Sequence, residues 1–225
     1  MEEFVITVND TSPGLPAKEQ IHQLARRLHQ AKRGLIIVGP QSQKLLETTL
    51  LPLAQQLNYP ILADPLSQLR GSASAQDLII SSYDAFFHLP RLVDALAPDI
   101  ILRFGAMPTS KPLLLYIKDA IACPQVIIDG NMGWDEPTYS ASELIRTEPT
   151  AFCAHLLSSL KALDMADGET FCARGREWAA LWHGIYQRSQ HVLTDAIHGF
   201  PDFFEGRVFT ELATLLPSSA TIYRQ

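Results

Sequence analysis

Short, continuously apolar runs alternate along most of the chain with longer segments in which apolar positions recur every three or four residues. The runs are GLIIVG (34–39), PILAD (60–64), DLIIS (77–81), DIILRFG (99–105), QVIIDG (125–130) and ELIRT (143–147). A run that is apolar at nearly every position suits a strand buried on both faces, as parallel strands are. Helical spacing marks KEQIHQLARRLHQAKR, where Ile21, Leu24, Ala25 and Leu28 share one stripe, and then segments near 44–57, near 83–96, from about 110, and near 149–163. Strand and helix in alternation predict an α/β fold of three layers, a parallel sheet with helices on both faces.

The pattern changes at two places. Residues 9–17, NDTSPGLPA, are turn formers, so residues 1–17 read as a linker and 18–167 as the main domain. From residue 168 two long helical segments lead to a single apolar stretch, ATIYR, at the end of the sequence. Helix, helix and one strand cannot close a sheet of their own. Residues 168–225 therefore read as the start of a second α/β domain, cut short.

Composition narrows the function classes. A net charge of −6 over 225 residues gives no general attraction to nucleic acid or to an anionic membrane, so any anion must be held by a local cluster. The three cysteines, Cys123, Cys153 and Cys172, are odd in number and include no CxxC pair, which argues against a disulfide framework or zinc site and for a reducing cytoplasm. The start MEEFVITVNDTSPGLP lacks the basic and apolar regions of a signal peptide, and no stretch reaches the roughly 18 apolar residues of a membrane span. His183, His191 and His198 fall at near-helical spacing without an HExxH pattern, and there is no GxSxG elbow. No complete catalytic constellation is present.

Candidate chemistry gathers where the strands end, because ligands of open parallel sheets bind beyond the carboxyl ends. The first run is followed by Gly39, Pro40, Gln41 and Ser42, a turn able to present NH groups to a phosphate, though it matches neither common phosphate-binding motif. The second is followed by Asp64 and Arg70 in DPLSQLRG, and the fifth by Asp129 and then Trp134 in GWDEPT, a ring expected to pack over its own loop. Arg103 lies inside the fourth run. A buried guanidinium must be paired, so it either meets Asp64 or Asp129 or reaches a ligand. Past it, Ser110, Lys111 and Pro112 open a helix, with serine a good N-cap and proline suited to the first turn. Lys111 opposes the helix dipole, which leaves two readings: a side chain in solvent, or a cation aimed at a carboxylate with Ser110 beside it.

The words GLIIVGP, YPILADPLSQLRG, ILRFGAMPTSKPLLLYI, VIIDGNMGWDEPTYSASELI and FEGRVFTELATLLPSSATIY, in this order, resemble the thiamine-diphosphate-dependent 2-succinyl-5-enolpyruvyl-6-hydroxy-3-cyclohexene-1-carboxylate synthases of menaquinone biosynthesis, the MenD family. The resemblance covers residues from about 30 to 223 and implies a Rossmann-like central domain, followed by the beginning of a pyrophosphate-binding domain. It further implies a parent transferase, a homodimer or homotetramer, that decarboxylates 2-oxoglutarate and adds the succinyl unit to isochorismate. Thiamine diphosphate and magnesium would be held by the parent's other domains, so this chain alone is expected to bind no cofactor and to be inactive. Lys111 falls where relatives contact substrate carboxylate. The chain departs from the pattern at Asp135, where relatives carry a basic residue, and at Pro112, where some carry a second one. Rival readings are a nucleotide-binding or regulatory module, since related central domains hold FAD or ADP, and an oligomerisation piece without a ligand.

Overall fold

The computed structural model describes residues 7–9, 14–41, 46–71, 77–120, 122–130, 137–167, 175–202, 204–217 and 220. Ser42, Trp134, Asp135, Cys172 and the ATIYR stretch beyond Ala220, all singled out above, lie outside the described residues. The chain divides into two compact units, 1–186 and 187–225.

The first unit holds a sheet of seven strands: β1 (Thr7–Asn9), β2 (Gly34–Val38), β3 (Ile61–Ala63), β4 (Ile79–Ile80), β5 (Ile100–Phe104), β6 (Gln125–Asp129) and β7 (Glu143–Arg146), in the order β1-β7-β6-β5-β2-β3-β4. Every pairing is parallel. The central strands are buried at every position, as their uninterrupted apolar sequence requires. Alternation along each strand divides the side chains between two faces. Ile36, Val38, Leu102, Phe104, Val126 and Ile128 join the core beneath α1 (Lys18–Gln30), α2 (Leu46–Leu57) and α6 (Pro149–Asp167). Leu35, Ile37, Leu62 and Ile101 face the other way, toward α3 (Tyr83–Phe86), α4 (Pro90–Ala95), α5 (Lys111–Asp119) and the start of α7 (Arg176–Gly199).

Ile21, Leu24, Ala25 and Leu28 are the buried stripe of α1, as their spacing predicts. One expectation needs correction. The helix expected near 83–96 is two helices, because Pro90 disfavours a helical conformation at Leu89, which is extended (φ −103°, ψ 101°). The segment before residue 18 contributes β1, whose backbone pairs with β7 at the sheet edge. The first compact unit runs on to Tyr186. The opening turns of α7 belong to the sheet domain, because Trp178 and Trp182 are buried in its second core. Trp178 Nε1 donates to the Gly34 carbonyl at 2.8 Å, and the Arg33 guanidinium lies 4.6 Å from the indole centre.

The second unit comprises the remainder of α7 and α8 (Glu205–Leu215). None of its described residues is buried. Its helices carry exposed i,i+4 pairs, His191 with Asp195 at 3.3 Å and Arg207 with Glu211 at 3.1 Å.

Candidate functional site

The chain passes from β2 to β3 and β4 on one side, then crosses to β5, β6 and β7 on the other, so the topological switch lies between β2 and β5. There the loops after β2 and β5 interlock. Gly39 N donates to the Phe104 carbonyl at 2.9 Å and Ala106 N to the Pro40 carbonyl at 3.1 Å. A Cβ on Gly39 would stand 1.8 Å from the Ala106 oxygen, so only glycine permits this approach. Gln41 N donates to the Leu66 carbonyl at 3.4 Å, and its side-chain amide to the Ser67 carbonyl at 3.0 Å. The NH groups of Gly39 and Gln41, candidates for a phosphate cradle, are thus spent inside the protein.

Asp64, fully buried at the end of β3, ties these loops together. Its Oδ1 accepts from Leu66 N at 2.8 Å, capping a 3-10 turn (Pro65–Ser67), and its Oδ2 accepts from both Thr109 N and Thr109 Oγ1 at 2.9 Å. Arg70 Nε donates to the Ala63 carbonyl at 2.8 Å, and its guanidinium lies 5.8 Å from the Tyr83 ring centre. Burial pushes the Tyr83 hydroxyl up to about 12; Arg70 opposes the shift while Asp64 and Asp84 add to it.

Ser110 is the N-cap of α5, its hydroxyl accepting from Leu113 N at 3.1 Å and donating to Asp84 on α3. Both roles are structural. Lys111 is exposed and lines a groove of about 530 Å³ whose walls include Phe87, Val93, Leu115 and Tyr116, with Asp94 and Asp119 also on its lining. Phe87 and Tyr116 stack at 4.6 Å, and the Tyr116 hydroxyl donates to the Leu96 carbonyl at 2.6 Å, which fixes that wall. The NH groups of this first turn are largely used, since Pro112 has none, Leu113 N donates to Ser110 Oγ and Leu114 N to the Ser110 carbonyl, so the Lys111 ammonium is the cationic group of a groove that also carries Asp94 and Asp119.

Arg103 is 1 % exposed on the second face of the sheet. Its Nη1 donates to Gln125 Oε1 at 3.1 Å and lies 3.7 Å from Met107 Sδ, while Gln125 Nε2 donates to Ser140 Oγ at 2.8 Å. The bonds of Asp64 described above go to Leu66 and Thr109. Asp129 stands opposite Arg146 in the register of β6 and β7. The sequence reading did not single out Thr109, Asp84 or Gln125. Only Gln125 left a trace, a polar residue opening an otherwise apolar strand.

Among the described residues no group of three or more His, Cys, Asp or Glu side chains could hold a metal ion. With the switch-point NH groups also spent, the described residues do not fit thiamine diphosphate and its magnesium.

A family model described as "Middle domain of thiamine pyrophosphate" matches residues 10–223, nearly the entire chain. The chain belongs to this middle-domain family. Similar curated proteins are the 2-succinyl-5-enolpyruvyl-6-hydroxy-3-cyclohexene-1-carboxylate synthases of Geobacillus thermodenitrificans, 38 % identical over 93 % of the chain, and of Chloroflexus aurantiacus, 37 % identical over 91 %. This middle domain spans 34 % of the length of either relative. The MenD resemblance read from the sequence words is therefore supported across the middle domain as a whole.

Proposed function

We propose that this chain serves as the central domain of a thiamine-diphosphate-dependent synthase that decarboxylates 2-oxoglutarate and transfers the succinyl unit to isochorismate. By itself the chain is structural and inactive. In the assembled enzyme, a cytoplasmic homodimer or homotetramer, the remaining domains hold thiamine diphosphate and magnesium.

Lys111 is the part of this domain that meets substrate, and its exposed place at the start of α5 carries the reading. Both substrates are carboxylates. A lysine at this helix end opposes the dipole by a few tenths of a kcal/mol, a cost that an anionic partner reverses. The names of the relatives, which describe synthases of a cyclohexene carboxylate, support the substrate class. In the assembled synthase Lys111→Ala should raise KM for isochorismate or 2-oxoglutarate about tenfold, equivalent to roughly 1.4 kcal/mol, with the melting temperature nearly unchanged. Kinetics equal to wild type for both substrates would reduce Lys111 to a surface residue.

A further inference from the structure

We infer that Asp64 is a positioning residue for Lys111, an inference that rests on the reading of Lys111 just given. β3 and β5 are not neighbours, since β2 runs between them. Parallel strands lie about 4.8 Å apart, so a bond from the end of β3 to the loop after β5 must pass over the end of β2. Gly39 makes the passage possible, for its missing side chain lets Ala106 lie against the backbone where β2 ends. The loop then delivers Thr109 to Asp64, and both Thr109 donors reach Oδ2 at 2.9 Å. Ser110 follows, held from the other side by Asp84, and Lys111 comes next.

The first turn of α5 therefore hangs between two carboxylates, one buried and one exposed. A carboxylate out of water is costly unless its oxygens are hydrogen-bonded. Asp64 accepts three bonds, two of them from a residue 45 positions away. Capping the 3-10 turn needs only Oδ1. Fixing the approach of α5 is what Oδ2 does, and a short helix that begins with its cation two residues past that anchor inherits its position from it.

Asp64→Asn separates the two duties. An amide keeps an oxygen for Leu66 N but turns an NH2 toward Thr109 N, which can only donate, so the backbone bond of the Thr109 clamp fails while the cap survives. In this chain, hydrogen exchange at the Thr109 amide should quicken about tenfold or more in Asp64→Asn, and unchanged protection overturns the clamp. In the assembled synthase, KM for the carboxylate substrate should rise about threefold to tenfold with kcat within about twofold. In a Lys111→Ala background the same substitution should add nothing, because its effect runs through the lysine.

If Asp64→Asn fails to fold, Thr109→Val carries the same test by removing one of the two Oδ2 bonds, and Thr109→Ser should restore wild-type KM. A Lys111→Ala enzyme with normal KM sinks the reading of Lys111 and this inference with it. A raised KM in Lys111→Ala alongside a silent or fully additive Asp64→Asn leaves that reading intact and overturns the positioning role alone.

Discussion

On one face of the sheet lie α1, α2 and α6, helices of 13, 12 and 19 residues; on the other lie α3, α4 and α5, of 4, 6 and 9 residues, with the opening turns of α7. The first three bury a nearly unbroken aliphatic stripe, with Leu50, Leu53, Phe152 and Leu156 all fully enclosed. The second face is closed by large rings instead: Phe86, Phe87, Tyr116, Trp178 and Trp182 meet edge-on or stacked at 4.6–6.1 Å. Helices of one or two turns have little stability of their own and depend on such tertiary contacts. α4 buries no residue at all, and the groove, Lys111 and the Asp84 contact all belong to this side. Long regular helices give the domain a rigid wall. Short ones, pinned by individual rings and carboxylates, leave a groove between them on the second face.

The difference can be broken most directly by truncating one side chain on each face. Phe152→Ala, fully buried on the inner side of α6, should cost about 3–5 kcal/mol by chemical denaturation, whereas Leu92→Ala on α4, only half-buried, should cost about 1 kcal/mol or less. Equal losses would mean that the two walls are equally built.

Arg103 sharpens the comparison from inside the sheet. Its neighbours Leu102 and Phe104 point into the aliphatic wall, while its own guanidinium serves the second face. Arg103→Ala leaves Gln125 without that donor and opens a cavity, so a loss on the order of 2 kcal/mol or more is expected. Arg103→Met, which keeps much of the volume, should lose less. A change within about 0.5 kcal/mol for the alanine variant would make the network ornamental.

The smallest effect concerns the start of α6. Burial pushes the Glu148 carboxyl up, but bonds from Ala151 N at 2.6 Å and Thr150 N at 2.8 Å outweigh it and hold the group below the ordinary glutamate range. A depressed folded value contributes stability above the unfolded value of about 4.3, and that contribution is lost as pH falls through the folded value. Glu148 is exposed, so the gain over Glu148→Gln is expected to be only about 0.5 kcal/mol at neutral pH after solvent screening. Melting curves of the two proteins should converge as the pH drops below about 4. A gap that persists to pH 3 would assign the difference to something other than the charge.

Much of the rigid wall was legible beforehand. Ile21, Leu24, Ala25 and Leu28 declared the buried stripe of α1, and the uninterrupted apolar strands declared a sheet covered twice. The start of α5 was legible too, because Ser110 and Pro112 are local signals for a local event. The second face was read less well. Its helix near 83–96 broke at Pro90, and nothing in the local pattern announced that the opening turns of α7 complete this face. The candidate site was half visible: Lys111 and Asp64 stood out as charges near strand ends, but nothing near Asp64 in the chain announced Thr109 as its partner.

By itself, then, the sequence determined most of the elements, their parallel class, the capped helix that presents Lys111, and the likeness to a thiamine enzyme's middle domain. Periodicity, capping and turn chemistry act over a few residues, and sequence words carry family membership whatever the contacts. The order β5-β2-β3, the Gly39 passage and the docking of Trp178 on Gly34 were decided by the tertiary structure alone. Such contacts join residues that are neighbours only once the strands have been sorted across the sheet. A carboxylate finds its donors by position in space, and Asp64 acquires Thr109 because the residue that follows β2, Gly39, has no side chain to hold the β5 loop away.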